Sequence, residues 1–273
     1  MIVFTATKRQ KLSRAAAINV PPVSYGAVMR LLREKSVKVN GVRVKEDVIL
    51  SEGDVVELYY TPKINPYDVI YADENVVVID KKRGFSSERV YEALKTEYPF
   101  AAFIHRLDTN TSGIMLFALT GAAEKELLAG FKNRAFDKKY IAAVKGVMPK
   151  TADVLTAYLV KDPAKAEVKI YASPVKNSVP VKTGYKLIKT EKDLSLIEVT
   201  LYTGKTHQIR AHLAYIGHPV AGDGKYGDNA FNRAHGVKKQ LLTAVSIKLK
   251  FDKGSALEYL NGKTFGTVAD FMV

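Results

Sequence analysis

The sequence predicts a mixed α+β protein: a mainly antiparallel β-sheet domain with flanking helices, preceded by a small helix-plus-hairpin domain. Three observations predict it. Short apolar runs rich in β-branched and aromatic residues recur from Val69 to Leu201, with turn residues between them. Few helical patterns interrupt those runs, which argues against a doubly wound parallel sheet. Residues 61–67 hold Pro62 and Pro66, which break regular structure and part a basic first segment, 1–60, from the remainder, 68–273.

Composition narrows the function classes. The chain has 273 residues, 47% hydrophobic, so a real core is available. No run approaches the ~18 apolar residues of a membrane span, and Met1 to Gln10 has no apolar stretch followed by a cleavage site. There is no cysteine, hence no disulfide, thiol nucleophile or thiolate metal site, as fits a reducing cytoplasm. The formal net charge of +14 selects polyanions, and without a basic amphipathic helix nucleic acid is preferred to membrane.

In the first segment Ser24 is placed to cap a helix to about Lys35, with Val28, Leu31 and Leu32 inward and Arg30 and Arg33 elsewhere. Val37 to Val44 alternates around Asn40-Gly41, a strong hairpin signal that sets Lys38 and Arg43 on the face opposite the valines. Between positions 8 and 45 ten basic residues stand against Glu34 alone. A charge run is commonly only a solvated face. Two elements showing basic residues outside an apolar face favour a surface that tracks phosphates.

In the second segment strands are expected at 69–71 and 76–80, around a turn at Asp73-Glu74-Asn75, then a short helix through Ala93-Leu94. A helix is expected at 121–131, a strand at 138–146, and further strands around 154–160, 167–172, 182–189 and 194–201, the last two joined as a hairpin at Glu191-Lys192-Asp193. No internal repeat or low-complexity tract is found.

The stretch His105-Arg106-Leu107-Asp108-Thr109-Asn110-Thr111-Ser112-Gly113 lies between the apolar runs 101–104 and 114–118. It reads as a polar loop fixed between buried strands, with side chains tying back to nearby backbone N–H groups and Gly113 freeing the chain to turn. Gly204-Lys205-Thr206-His207-Gln208-Ile209-Arg210-Ala211-His212 opens a helix with Ile209, Leu213 and Ile216 on its apolar face. A phosphate loop would need glycine where Val199 stands. On a helix His207 and His212 would point about 140° apart, at ~100° per residue, so they do not form a zinc pair. All five histidines are read as structural hydrogen bonders, and no metal or cofactor is expected. Arg210 can reach a carboxylate bidentately, or contact phosphate.

The nine residues from His105 resemble the H-R-L-D-x-x-T-S-G signature of the RluA-type pseudouridine synthases, and Gly204 to His212 resembles that family's G-[RK]-x-H-Q-[IL]-R-x-H. Gly217 to Asp223 and Tyr226-Gly227 continue the resemblance, which spans about Asp68 to Phe251. Two departures stand out. Lys82-Arg83-Gly84 replaces a usual proline before glycine, and Leu242-Thr243-Ala244 replaces L-H-A. Residues 11–60 resemble the alpha-L RNA-binding module shared with a ribosomal small-subunit protein.

By position the resemblance implies Asp108 as the essential carboxylate, Tyr140 as the active-site tyrosine, Arg210 as the carboxylate's partner, and Arg106 as the residue entering the RNA where the base leaves. Lys138, Arg30, Arg33, Lys38 and Arg43 are expected to contact RNA, ribosomal RNA before transfer RNA. The chain is read as a cytoplasmic monomer. The resemblance leaves open whether Asp108 attacks the sugar, attacks the base or removes a ribose proton. A rival reading is a catalytically silent RNA-binding or ribosome-assembly protein.

Overall fold

The structure, a computed structural model, describes residues 1–20, 23–60, 65–162, 164 and 166–272. It divides into two units, Met1–Asn65 and Pro66–Val273. Of the stretch 61–67 expected as a linker, residues 61–64 lie outside the described residues, and Tyr67 is already the fully buried first residue of a strand.

The first unit contains β1 (Ile2–Thr5), β2 (Gln10–Lys11), α1 (Leu12–Asn19), α2 (Tyr25–Arg33), β3 (Val37–Val39), β4 (Val42–Arg43), β5 (Ile49–Leu50) and β6 (Val55–Leu58). Ser24 caps α2 by accepting the Ala27 N–H. Asn40 and Gly41 both take left-handed backbone, φ 51° and 80°, the geometry of a two-residue hairpin turn. Lys38 stands directly opposite Arg43. The sheet runs β1-β6-β3-β4, with β2 and β5 paired apart. Leu12, Ala16, Val28, Leu32, Val37, Val56 and Leu58 fill its core. Helix α1 and strand β1 are additions to the expected helix and hairpin. Lys11 supplies no side-chain cap to α1 and no acidic residue lies in its first turn, so the usual start signals are absent.

The second unit contains β7 (Tyr67–Ala72), β8 (Val76–Lys81), α3 (Ser87–Leu94), β9 (Ala102–Phe103), β10 (Ser112–Ala118), α4 (Gly121–Lys132), β11 (Asp137–Lys145), β12 (Ala152–Asp162), β13 (Glu167–Tyr171), β14 (Val179–Glu191), β15 (Leu194–Leu201), α5 (Gln208–Tyr215), α6 (Asn229–Ala234), β16 (Leu242–Lys248) and β17 (Thr264–Gly266). The expected α+β class is what is found. One sheet runs β13-β12-β14-β15-β11-β16-β10-β8-β7, with β9 and β17 pairing at its sides. Its pairings are antiparallel apart from β10 with β16.

Both faces of the central strands are covered. Along β8, Val77 and Ile79 join one core with Met115, Phe117, Leu94 and Leu213, while Val76 and Val78 join another with Ile114, Leu116, Leu127 and Phe136. This is the period-2 alternation of a strand buried on both sides, which gives continuous apolar runs. The strand expected at 101–104 shortens to β9, and the polar loop between β9 and β10 hangs from the end of this doubly covered region.

Gly113 does not free a turn. It lies inside β10 at φ 113°, beside Ala244 of β16, and a Cβ there would overlap the Ala244 backbone. The glycine permits close approach of two strands, with a backbone that other residues rarely adopt.

Candidate active site

Asp108 is held in a loop gripped from below by distant groups. The Leu107 N–H donates to Ser87 Oγ, and that hydroxyl donates to the Leu107 carbonyl at 2.8 Å. The Thr109 carbonyl accepts from the Gly84 N–H and from the Lys81 ammonium. Arg83 donates to the Asn110 carbonyl and to Ser112 Oγ. Gln240 donates to Thr111 Oγ1, and Ser112 Oγ lies 2.9 Å from Thr243 Oγ1. The expected local ties from side chain to backbone are thus replaced by long-range ones. The close approach of β10 to β16 brings Thr243 within reach of Ser112.

The two departures from the family pattern have local explanations. At Lys82-Arg83-Gly84 the Lys82 N–H donates to the Pro66 carbonyl at 2.9 Å and the Arg83 guanidinium donates to the Asn110 carbonyl. Thr243, where histidine is usual, supplies the hydroxyl that meets Ser112.

Arg210 sits in the first turn of α5, 8% exposed. Gln208 fixes the start of that helix. Its amide donates to the Lys182 carbonyl and Thr183 Oγ1, and its oxygen accepts from Thr203 and from the Lys205 N–H. Arg210 Nη1 then donates to Asp108 Oδ2 at 2.8 Å. Its bidentate partner is not Asp108, as the expectation allowed, but Asp223, through Nε at 2.7 Å and Nη2 at 2.9 Å. Tyr226 lies against the guanidinium at 5.2 Å.

Burial opposes the Arg210 charge, but the bonds and charge of Asp223, and then of Asp108, outweigh it and raise its pKa. Burial likewise works to raise the Asp223 pKa, and Arg210 reverses this so that it falls below the ordinary range. Asp223 is fully buried, and sequence reasoning gave it no role. In the sequence Asp223 enters only as the end of the resembling stretch 217–223, and the usable signal was that a buried arginine needs more acceptors than one carboxylate offers.

Tyr140 lies on β11 at a register shift against β16, where Lys139 faces Ser246 but Tyr140 faces Ala244. Such a bulge re-aims a side chain. Burial, helped by the Asp108 charge, raises the phenol pKa, so the hydroxyl is protonated at neutral pH.

Asp108, Arg210, Tyr140, Arg106 and Lys138 all line one cleft of about 300 Å³, with Leu107, Leu201, Ile209 and Leu242 supplying apolar wall. That is the lower end of small-ligand pockets, enough for one extruded nucleoside and not for a stacked helix. Arg106 pairs loosely with Glu88 at 3.2 Å and stays exposed. Lys138 lies over the Phe131 ring at 5.3 Å, its pKa lowered by burial and then by Arg134.

The structure gives each histidine a polar partner. His105 accepts the Leu116 N–H, and His212 meets Thr183. His218 faces the Lys145 carbonyl, and His235 the Phe231 carbonyl and Asp193. His207 meets Tyr226 and also lines the cleft. Arg30, Arg33, Lys38 and Arg43 belong to the first unit, where both helix arginines and Arg43 are exposed and Lys38 lies 3.8 Å from Glu57. Among the described residues no group of three or more His, Cys, Asp or Glu is placed to hold a metal, and no helix is long and apolar enough to cross a membrane.

Comparisons with known proteins identify a family for the chain. Residues 69–215 match the family described as RNA pseudouridylate synthase. The chain is 30% identical over 269 residues to the ribosomal large subunit pseudouridine synthase C of Vibrio vulnificus (strain CMCP6), spanning 88% of this chain and 84% of that one. It is 30% identical over 273 residues to the protein of the same name from Haemophilus ducreyi, spanning 89% and 85%. The solved structure of human RNA Pseudouridylate Synthase Domain Containing 1 superposes with a TM-score of 0.65 at 23% identity, over 77% of this chain and 86% of that one, a likeness of fold.

Proposed function

The chain belongs to the RNA pseudouridylate synthase family, and from that premise we propose that it isomerises uridines of ribosomal RNA with Asp108 as the reacting carboxylate. The observation that carries the proposal is the state of that carboxylate. Oδ2 is held by Arg210 at 2.8 Å, Oδ1 takes no hydrogen bond from any described residue, and the side chain lines the cleft.

The isomerisation breaks the bond from base nitrogen 1 to ribose carbon 1′, turns the base and joins carbon 5 to the sugar. Carbon 5 loses a proton and nitrogen 1 gains one, so no redox partner is consumed. A carboxylate fixed on one oxygen and free on the other can attack or take a proton at the sugar. The protonated Tyr140 ring would stack on the base, and the apolar wall would help exclude water. Extrusion of the base costs a few kcal/mol, which Arg106 filling the gap and basic groups on phosphates would offset.

The relatives' names support ribosomal over transfer RNA, and the basic first unit would add sequence-independent phosphate contacts. We place the protein in the cytoplasm as a monomer, where the ribosomal RNA of such relatives is made. The test is tritium release from RNA carrying carbon-5-tritiated uridine, followed by mapping of the product. Wild type should release tritium and Asp108→Asn should not. Release retained by Asp108→Asn would overturn the assignment, and no release by wild type on ribosomal or transfer RNA would favour the silent RNA-binding reading.

A further inference from the structure

We propose that His207 and Asp108 together read the ribose 2′-hydroxyl of the target nucleotide, His207 as donor and Asp108 as acceptor, and so select RNA against DNA. This deepens the preceding section and rests on its reading of the cleft as the uridine site.

His207 Nε2 stands 3.9 Å from Asp108 Oδ1. That is too long for a hydrogen bond between them and too short for an atom on the line joining them. A hydroxyl oxygen set to one side, at about 2.9 Å from the nitrogen and about 2.7 Å from the oxygen, satisfies both. Both side chains line the same cleft and retain some exposure, 17% and 22%.

The Tyr226 hydroxyl bears on the His207 tautomer. The Val168 N–H donates to Tyr226 Oη at 2.9 Å, and Tyr226 Oη lies 2.9 Å from His207 Nδ1. With the Val168 N–H already donating to that oxygen, we assign the phenolic hydrogen to Nδ1. The imidazole then carries its own hydrogen on Nε2, toward the cleft. His207 takes left-handed backbone at φ 52°, which fixes the ring at the end of α5 outside the helix. Burial lowers its pKa and so do Arg210 and Lys225. They outweigh Asp108 and Asp223, which act the other way, and the ring stays neutral.

The cleft therefore sets one donor beside one acceptor. The matching ligand group must accept and donate at a single atom, which is a hydroxyl. In an internal nucleotide the 3′ and 5′ oxygens are esterified, so the 2′-hydroxyl alone qualifies. It is carried by the carbon next to carbon 1′, so binding it brings the breaking bond up to the carboxylate.

The experiment uses the ribosomal RNA transcript in which conversion is mapped, rebuilt by ligation with a single 2′-deoxyuridine at the converted position. Single-turnover conversion and affinity are measured for both transcripts, so that a deoxy transcript that binds without reacting still reports. Wild type should favour the ribose transcript by about tenfold or more, the effect of one good hydrogen bond. His207→Asn suits the left-handed backbone and is too short to reach. It should weaken the ribose transcript toward the deoxy level and leave the deoxy transcript nearly unchanged. Tyr226→Phe keeps the ring on Arg210 but removes the hydroxyl that sets the tautomer, and should lose part of the preference. Equal losses on both sugars in His207→Asn, or no preference in wild type, overturn the inference while leaving the uridine site intact. Conversion by Asp108→Asn would instead overturn the reading beneath it.

Discussion

Arg210 gives Asp223 two hydrogen bonds, at 2.7 and 2.9 Å, and gives Asp108 only one, at 2.8 Å. The fully buried Asp223 therefore fixes the plane of the guanidinium, and Asp108 meets a donor already aimed. Asp223→Asn should cost stability, on the order of 3 kcal/mol, as breaking a buried ion pair does. It should lower kcat by more than tenfold with little change in KM, because the donor to Asp108 loses its aim while the cleft keeps its walls. Urea unfolding and steady-state tritium release check both. A folded Asp223→Asn variant with wild-type kcat would show that Arg210 is oriented by something else.

Much of this site was legible as residues and little of it as geometry. Strands β8 and β10 announce themselves because both faces are buried, so Val76 to Ile79 and Ile114 to Phe117 are unbroken apolar runs. Strand β16 sits beside β10 in the sheet and escaped notice, since Thr243 and Ser246 dilute its apolar pattern. Thr243 is buried because it meets Ser112, 131 residues away, and no local rule reports such a pair. The Asp108–Arg210 contact spans 102 residues and came from resemblance, not spacing. Asp223 received no role because its bidentate contact with Arg210, thirteen residues away, follows from no local pattern.

Two glycines with left-handed backbone should respond differently to alanine. Gly41, at φ 80° in the β3–β4 turn, has nothing within 4 Å of an added Cβ, so Gly41→Ala meets backbone strain alone, about 1 kcal/mol. Gly113 adds a collision with the Ala244 backbone, which cannot move without parting β10 from β16. Gly113→Ala should destabilise its unit by about 3 kcal/mol or more and disturb the Asp108 loop. Urea midpoints of the two variants make the comparison, and a Gly113→Ala cost no greater than that of Gly41→Ala would contradict the close-approach account.

The basic face of the first unit makes a graded prediction. Arg33 and Arg43 are exposed, whereas Lys38 lies 3.8 Å from Glu57 and over the Tyr59 ring at 5.5 Å. If the face tracks RNA phosphates, Arg33→Ala and Arg43→Ala should each lower the slope of log affinity against log salt by about 1. Lys38→Ala should lower it less, since that ammonium is already engaged. Titrations of ribosomal RNA fragments at several salt concentrations provide the slopes. Unchanged slopes in both arginine variants would remove the face from the binding surface.

His212 gives a pH dependence with a defined sign. It is 1% exposed, lies 3.1 Å from Thr183 Oγ1, and burial pushes its pKa down to about 4. The unfolded chain's histidine titrates near ~6.5. Between those values the unfolded state binds a proton that the folded state refuses, so stability rises with pH and is lost as pH falls through the window. From pH 7 to pH 5 the loss from this residue should be roughly 2 kcal/mol. Buried neutral His105, held down to about 3 by burial and then by Lys138, adds to the same trend. His212→Gln keeps a polar partner for Thr183 and does not titrate, so its pH 7-to-5 loss in urea unfolding should be smaller than wild type by about that amount. Equal losses in the two proteins would mean that His212 takes up its proton without unfolding the helix that carries Arg210.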